Sequence, residues 1–315
     1  MSGALSNPPA GDVADPTVRS PRRTPSAQHV FVVDRSESLS PHLVRVHLGG
    51  SGFETFVQGA HPDRLAATDK YVKLYFARAD LRLVPPYDLD ELRAALPPDD
   101  LPVLRTYTVR SVDHSARTIA IDFVVHGDEG VAGPWAASTQ PGDLIAMSSP
   151  GGMYSPDPDP AVEHLLLGDD SAIPAIAAAL EAMPTEARGL AIIEVTSSAD
   201  EIPLTHPADV TLRWVHRVPS GRHVAVRPAD VAAPHAEIPG TVLVAAVRDL
   251  PAPTSPVQVF AHGERGAMNA LRAVLQDEWG IARKAMSLSA YWALGRAEDR
   301  FQAEKREPVG QIFAD

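Results

Sequence analysis

Arg105-Thr106-Tyr107-Thr108-Val109-Arg110 alternates its side chains as a β-strand does, with the ring of Tyr107 on one face and the two arginines on the other or at the edge. An aromatic ring beside hydroxyls and fixed guanidinium groups suits a planar cofactor that carries a pyrophosphate. The ring lies against the plane, and guanidinium forks match phosphate oxygens. Alone, the hexapeptide reads equally well as an ordinary barrel strand with surface arginines, so its surroundings decide.

Around it, β-type runs recur at His29–Val33, Leu43–Leu48, Tyr71–Phe76, Arg105–Ser111, Thr118–Val125 and Asp143–Met147. Turn formers separate them, which suits an antiparallel barrel or sandwich. Asp88–Leu96 predicts a short helix stopped by Pro97-Pro98. Residues 1–26, rich in Pro, Ser, Gly and Ala, predict a disordered tail. After the stiff connection Ser155–Ala161 the pattern becomes α/β. Strands are expected at His164–Leu167, Leu190–Thr196, Val210–Val215, Val257–Ala261 and Met286–Trp292, with helices after Ser171 and over Arg265–Gln276. Ile238–Leu250 fits a strand by composition and a crossover helix by position. The expected organisation is therefore a tail (1–26), an antiparallel β-barrel (27–155), a parallel-sheet α/β domain (160–295) and a terminal helix or tail (296–315).

The 315 residues are too many for one small core and suit two domains, and 44 % apolar residues predict a folded, soluble protein. No apolar run approaches bilayer length and no signal core is visible, so the cytoplasm is expected, without membrane insertion. Cysteine is absent, which excludes disulfides, thiolate nucleophiles and thiolate metal sites. A formal charge of −12 argues against a nucleic-acid partner, and an anionic ligand would need local basic clusters.

A second candidate site runs from Asp122-Phe123-Val124-Val125-His126-Gly127 to Gly133-Pro134-Trp135-Ala136, a strand end, a glycine-bearing loop and a helix start of the kind that binds phosphate. His126 alone reads more readily as a satisfied barrel-end histidine, and no metal-ligand spacing accompanies it. The third, Gly168-Asp169-Asp170-Ser171, joins a strand to a helix at the ligand-facing edge of a parallel sheet, although Ser171 or Asp170 could merely cap that helix. It matches neither a GxGxxG nor a Walker loop. On the same edge, Thr196, Ser197 and Arg217 suit a ribose 2′-phosphate, and the nearby Asp200-Glu201 a free 2′-hydroxyl, so NADPH and NADH both stay open. Glu264, in Gly263-Glu264-Arg265-Gly266, reads as a dinucleotide contact or a plain strand–helix turn. Lys305-Arg306 with Arg300 form a small basic cluster that usually marks a solvated helix face.

Together, Arg105–Arg110, Asp122–Asp128, Gly133–Ala136, Pro141–Asp143, Gly168–Ala175, Tyr291-Trp292 and Gly295-Arg296 resemble the siderophore-interacting protein family, flavin-dependent ferric-siderophore reductases related to the ferredoxin-reductase fold. The resemblance spans about Gln28 to Arg306. It implies an FAD-binding barrel and an NAD(P)H-binding α/β domain. FAD would meet Arg105, Thr106, Tyr107, Thr108, Asp122, Phe123, Val124, Val125, His126, Trp135, Ala136, Ser148, Ser149 and Trp292. NADPH or NADH would dock at Asp169, Asp170, Ser171, Thr196, Ser197, Arg217 and Glu264. Residues 220–256 depart from the family pattern.

The implied activity passes electrons from NAD(P)H through flavin to Fe(III) in a siderophore, releasing Fe(II), with no catalytic side chain because the cofactor carries the chemistry. Lys305 and Arg306 would attract the ferric siderophore, and the protein would work near an inner-membrane siderophore importer. A general flavin reductase with another acceptor, or a non-catalytic siderophore-binding module, are the alternative expectations.

Overall fold

The computed structural model describes residues 27–127, 130–218 and 238–313. The expected tail (1–26), Asp128 and residues 220–237 of the departing stretch 220–256 lie outside them. Six strands, β1 (Gln28–Ser40), β2 (Leu43–Gly49), β3 (Tyr71–Phe76), β4 (Val103–Asp113), β5 (Thr118–Val124) and β6 (Leu144–Ser148), close an antiparallel barrel in the order β1-β2-β5-β4-β3-β6. The barrel, rather than a sandwich, follows from β1, which pairs with β2 along one side and with β6 along the other. To do so it runs well beyond the expected His29–Val33, with a break in register between Val33 and Arg35. Phe31, Val72, Leu74, Val109, Ile121, Phe123 and Met147 fill the interior.

Two helices were not expected from the sequence. In α1 (Gly52–Gly59), Phe53 and Phe56 enter the barrel core, so this helix plugs it; α2 (Pro62–Ala66) follows. Their apolar spacing spans too few turns to stand out as periodicity. The expected helices appear as α3 (Leu89–Ala95) and α4 (Ala132–Ser138).

The second half is a five-stranded parallel sheet in the order β11-β10-β7-β8-β9, from β7 (Glu163–Asp169), β8 (Arg188–Val195), β9 (Asp209–His216), β10 (Val257–Glu264) and β11 (Met286–Trp292). Helix α5 (Ile173–Ala182) covers one face; α6 (Thr241–Arg248) and α7 (Arg265–Arg272) cover the other. The ambiguous stretch is thus the crossover helix α6, because Leu243 and Val247 recur four residues apart and both reach the core. The chain ends with α8 (Glu298–Glu304). No helix among the described residues is long and apolar enough to cross a membrane.

The two halves share one apolar cluster. Leu43 and Tyr154 of the barrel side pack with Leu166, Ile173, Ile176 and Phe260 of the sheet side, and the Tyr154 hydroxyl donates to Gln258 Oε1 at 3.2 Å. Gln258 also accepts from Asp157 N and donates to Ser155 O, which docks the connection onto β10.

Polar contacts frame this seam. Arg110 forks onto Glu181 of α5, and His42 Nδ1 lies 2.8 Å from Asp200 Oδ1, which also accepts from Ser40 Oγ. The hydrogen bond to Asp200 lifts the His42 pKa above 6.5 against the opposing effect of burial. Burial would raise Asp200, but the bond and charge of His42, aided by Ser197, bring it below 3.8.

The raised His42 contributes stability below its unfolded value, lost as pH climbs through its folded pKa. The depressed Asp200 contributes above its unfolded value, lost as pH falls through its folded pKa. The clamp is therefore complete between about pH 4 and 6.5. His42→Ala should lower the melting temperature more at pH 5.5 than at pH 8.5; equal losses in calorimetry at both pH values would contradict it.

Candidate functional site

The barrel and sheet meet where β4 faces the end of β11. Tyr107 sits opposite Val72 and Arg105 opposite Leu74, whereas Thr106 and Thr108 oppose Lys73 and Tyr71. Directly opposed residues share a face, so Arg105 lies on the Tyr107 side of the strand. This corrects the expectation that both arginines stand apart from the ring. Arg110 does, and it is taken by Glu181.

The Tyr107 ring packs 4.5 Å from that of Phe123, and Phe123 is in turn 5.5 Å from Trp135. Burial, and secondarily the Glu298 carboxylate, raise the Tyr107 phenol well above its ordinary pKa, so it stays neutral. Arg105 Nη1 donates to the Leu104 carbonyl and, at 3.2 Å, to both carboxylate oxygens of Asp299 in the first turn of α8. Thr106 is exposed; Thr108 is buried and lies near the Tyr291 phenol across the seam. The Tyr291 phenol is pushed up chiefly by burial, and its ring stands edge-on to His262 at 4.8 Å. His262 stacks on Phe260 at 4.0 Å and is driven down to about 3 by burial and then by Lys305, so it carries no charge at neutral pH.

Trp292 points the other way. Its indole N–H donates to Asp169 Oδ2 at 2.8 Å. That carboxylate is buried and also accepts from the backbone of Glu264 (2.9 Å) and from the backbone and hydroxyl of Ser171 (3.0 and 2.5 Å). Burial, then the neighbouring Asp170, push its pKa up to about 6, opposed by Ser171, Trp292 and Arg217. Gly263 permits this closeness: a Cβ there would lie 2.7 Å from Asp169 Oδ2. Asp169, rather than Asp170 or Ser171, is the residue that caps the turn into α5.

Several residues expected to touch a cofactor also have partners within the protein. Asp122 is buried and holds Arg45 through Nε at 2.6 Å and Nη2 at 2.8 Å, while Phe123 is wholly interior. Arg217 is enclosed, forking onto Asp170 at 2.6 and 3.1 Å and also reaching Glu194 and Thr196. Glu194 completes the knot by accepting from Gly240 N and Leu243 N at the start of α6. Ser197 forms a capping box with Asp200, and Glu264 caps α7 through Ala267 N. Ser148 is held by Lys73 N and Ser149 by His29 Nε2. Each is a polar group that burial or a chain turn obliges to find a partner nearby.

Val124 and Val125 are half-buried, and His126 is exposed with its ring 5.8 Å from that of His42. Ala136 is buried within α4, whose start at Ala132 has no side-chain cap. The basic cluster expected at the C-terminus divides: Arg300, Arg296 and Arg265 all donate to Glu304, which they hold down at about 2. Lys305 rests its ammonium 4.6 Å over Phe301, and burial lowers its pKa, with Lys73 lowering it further. Arg306 is exposed.

The residues that remain available fit a flavin dinucleotide. They are a neutral ring (Tyr107), a guanidinium paired with an exposed carboxylate (Arg105), an exposed hydroxyl (Thr106) and an aromatic side chain from the sheet (Tyr291). No group of His, Asp or Glu among the described residues is arranged to hold a metal ion. Sequence reasoning gave the pair Tyr291-Trp292 a cofactor-covering role, named Trp292 of the two as a contact, and did not assign Lys73, Asp299 or Glu194 to the site. Alternation along β11 was the available signal for Tyr291, since it must face opposite to Trp292.

Residues 32–154 match the family model described as siderophore-interacting FAD-binding domain, and residues 161–295 match that of siderophore-interacting protein. An uncharacterized protein of Mycobacterium tuberculosis is 48 % identical over 89 % of this chain and 95 % of its own length. The ferric vibriobactin reductase ViuB of Vibrio cholerae is 31 % identical over 89 % of this chain and 94 % of its own. The crystal structure of the siderophore-interacting protein SipS from Aeromonas hydrophila superposes with a TM-score of 0.67 at 27 % identity, covering 91 % of this chain and 99 % of that one. Matched in both halves and built on the ferredoxin-reductase-like plan of closed barrel and parallel sheet, this chain belongs to the siderophore-interacting protein family.

Proposed function

We propose that this protein is an FAD-dependent ferric-siderophore reductase that works in the cytoplasm. The observation that carries the reading is the approach of Thr108 to the Tyr291 phenol, which brings the ring-bearing barrel strand and the end of the sheet close to one point. A cofactor on the first then lies beside a donor on the second, and proximity of this kind is the protein's main contribution to such a reaction.

In this reading Arg105 meets the pyrophosphate, giving up its exposed partner Asp299. Tyr107 backs the ring system as a neutral wall, and Thr106 and Thr108 supply hydroxyls beside it. Tyr291 shields the opposite side, held upright by Thr108 and by the edge of His262. Trp292 and Asp169 set the height of that strand end. Bound there, FAD would take two electrons as a hydride from a nicotinamide and release them singly, so each nicotinamide serves two ferric ions. Fe(II) carries less charge than Fe(III) and is held less tightly by hard oxygen ligands, so reduction frees the metal.

The donor edge favours NADH. Arg217 is spent on Asp170, Glu194 and Thr196, and His216 on Glu201, so neither offers a free cation to a ribose 2′-phosphate. For the acceptor, the Lys305 ammonium after α8 lies near the Glu298 carboxylate and near Lys73 of β3. Two ammonium groups there suit an anionic chelate and offset the −12 of the whole chain locally.

In an anaerobic titration of the FAD-loaded protein, NADH should bleach the flavin absorption with a kcat/KM at least about tenfold above that of NADPH, and a ferric siderophore should restore it. A preference for NADPH would reverse the donor assignment. Tyr107→Ala should fold but lower flavin affinity or slow flavin reduction; unchanged flavin content and kinetics would remove Tyr107 from the site. Lys73→Gln should raise KM for an anionic ferric siderophore and flatten its dependence on salt while leaving bleaching by NADH unchanged. An unaltered KM would discard the acceptor rim.

A further inference from the structure

Helix α8 is held unequally along its length. In its second turn Phe301 is buried beside Ala290 of β11 and the following Ala293, and Glu304 accepts from Arg265, Arg296 and Arg300. Past it the chain closes on the helix end, where a Cβ at Gly310 would lie 2.0 Å from the Glu304 carbonyl oxygen. The first turn reaches the barrel through an ion pair: Asp299, its side chain 68 % exposed, meets Arg105, its side chain 16 % exposed. Pairs open to water are weak and screened by salt. The connection into α8 is pinned up to Leu294, whose N–H donates to Glu264 Oε1 at 3.1 Å, and Gly295 follows with φ +71°. Glycine enters that left-handed region freely, and hinges are built from a few such residues.

The pair is weak for a second reason. Arg105 Nη1 carries two protons and faces three acceptors, the Leu104 carbonyl at 2.7 Å and both Asp299 oxygens at 3.2 Å. The carbonyl takes the shorter bond. The two carboxylate oxygens are left to share, at more than the roughly 2.7–2.9 Å usual between charged partners. Arg45, by contrast, meets Asp122 through Nε and Nη2 at 2.6 and 2.8 Å. That same edge of Arg105 has no hydrogen-bond partner among the described residues. It is a fork for a bidentate anion. An anion seated on it places negative charge beside Asp299, and two like charges on one guanidinium repel.

We propose that the first turn of α8 is a releasable latch: Asp299 fastens it to Arg105, and an anion taken up on the Nε–Nη2 edge expels Asp299, so that the turn swings about Gly295. The inference rests on the reading that Arg105 meets the cofactor's pyrophosphate. It adds an element of the sheet half that opposes loading and registers it. By linkage, whatever the latch subtracts from cofactor affinity, the cofactor subtracts from the latch. The turn also carries Glu298, near the Lys305 ammonium, so its release draws a carboxylate away from the acceptor side.

The chain contains no cysteine, so Ala297→Cys carries a single spin label at the exposed start of α8. FAD, or riboflavin as a probe without phosphate, is added to the flavin-stripped protein. Label mobility is read by electron spin resonance and affinity by flavin fluorescence. FAD should free the label and riboflavin should not. Asp299→Ala in the labelled chain should show a free label from the start. The same change should tighten FAD by up to about fivefold, the range of an exposed ion pair, and leave riboflavin unchanged. A label that FAD leaves unmoved or immobilises would overturn the latch. So would tighter FAD binding in Asp299→Ala with the label unaffected, which is a charge effect through space. FAD that binds no more tightly than riboflavin would instead overturn the placing of pyrophosphate on Arg105, so the two failures are told apart. The label response needs no change at position 299 and decides the matter even where Asp299→Ala misfolds.

Discussion

A carboxylate sealed from water must have its oxygens met by donors, and the way Asp169 meets that demand fixes the geometry of the whole seam. It draws on the turn into α5, the backbone at the end of β10 and the indole of Trp292 on β11, so three neighbouring segments are tied at one point. The approach requires a residue without a side chain at position 263. With Trp292 turned down onto this carboxylate, strand alternation turns Tyr291 the other way, toward Thr108 of the barrel. The approach of β11 to β4 is thus linked to satisfying one buried anion.

The same economy governs the other charges. An acidic chain might be expected to repel anionic ligands everywhere, yet its inner carboxylates are consumed by arginines: Asp122 by Arg45, Asp170 and Glu194 by Arg217, and Glu304 by three arginines at once. Breaking the buried pairs at Asp122, Asp170 and Glu194 from one side costs about 3–5 kcal/mol, because the partner is left uncompensated. Arg45 and Arg217 are thus structural, their planar forks matching the carboxylates they meet.

Much of the architecture was legible from alternation and spacing. The six barrel strands, the five parallel strands and the interdomain connection each left a pattern in the chain, and Arg105–Thr108 stands where its composition indicated. What escaped was tertiary. Nothing in the triplet Thr196-Ser197-Ser198 or in Arg217 tells whether a side chain will face a ligand or close upon Asp170, because that depends on strands far apart in sequence. Asp122 reads as a cofactor contact by motif, and the motif does not show that Arg45 lies opposite it in the ladder between β2 and β5 and holds its carboxylate. Helix α1 was invisible because its two phenylalanines earn their place by plugging a barrel that local periodicity does not describe.

The apolar cluster shared by Leu43, Tyr154, Leu166 and Phe260 carries a consequence for how such proteins diversify. A boundary drawn along the chain near the proline-rich connection is not a boundary in energy, since cutting there exposes a common core on both pieces. The two halves therefore cannot be exchanged with those of distant relatives as free modules. Any graft must carry its share of the seam.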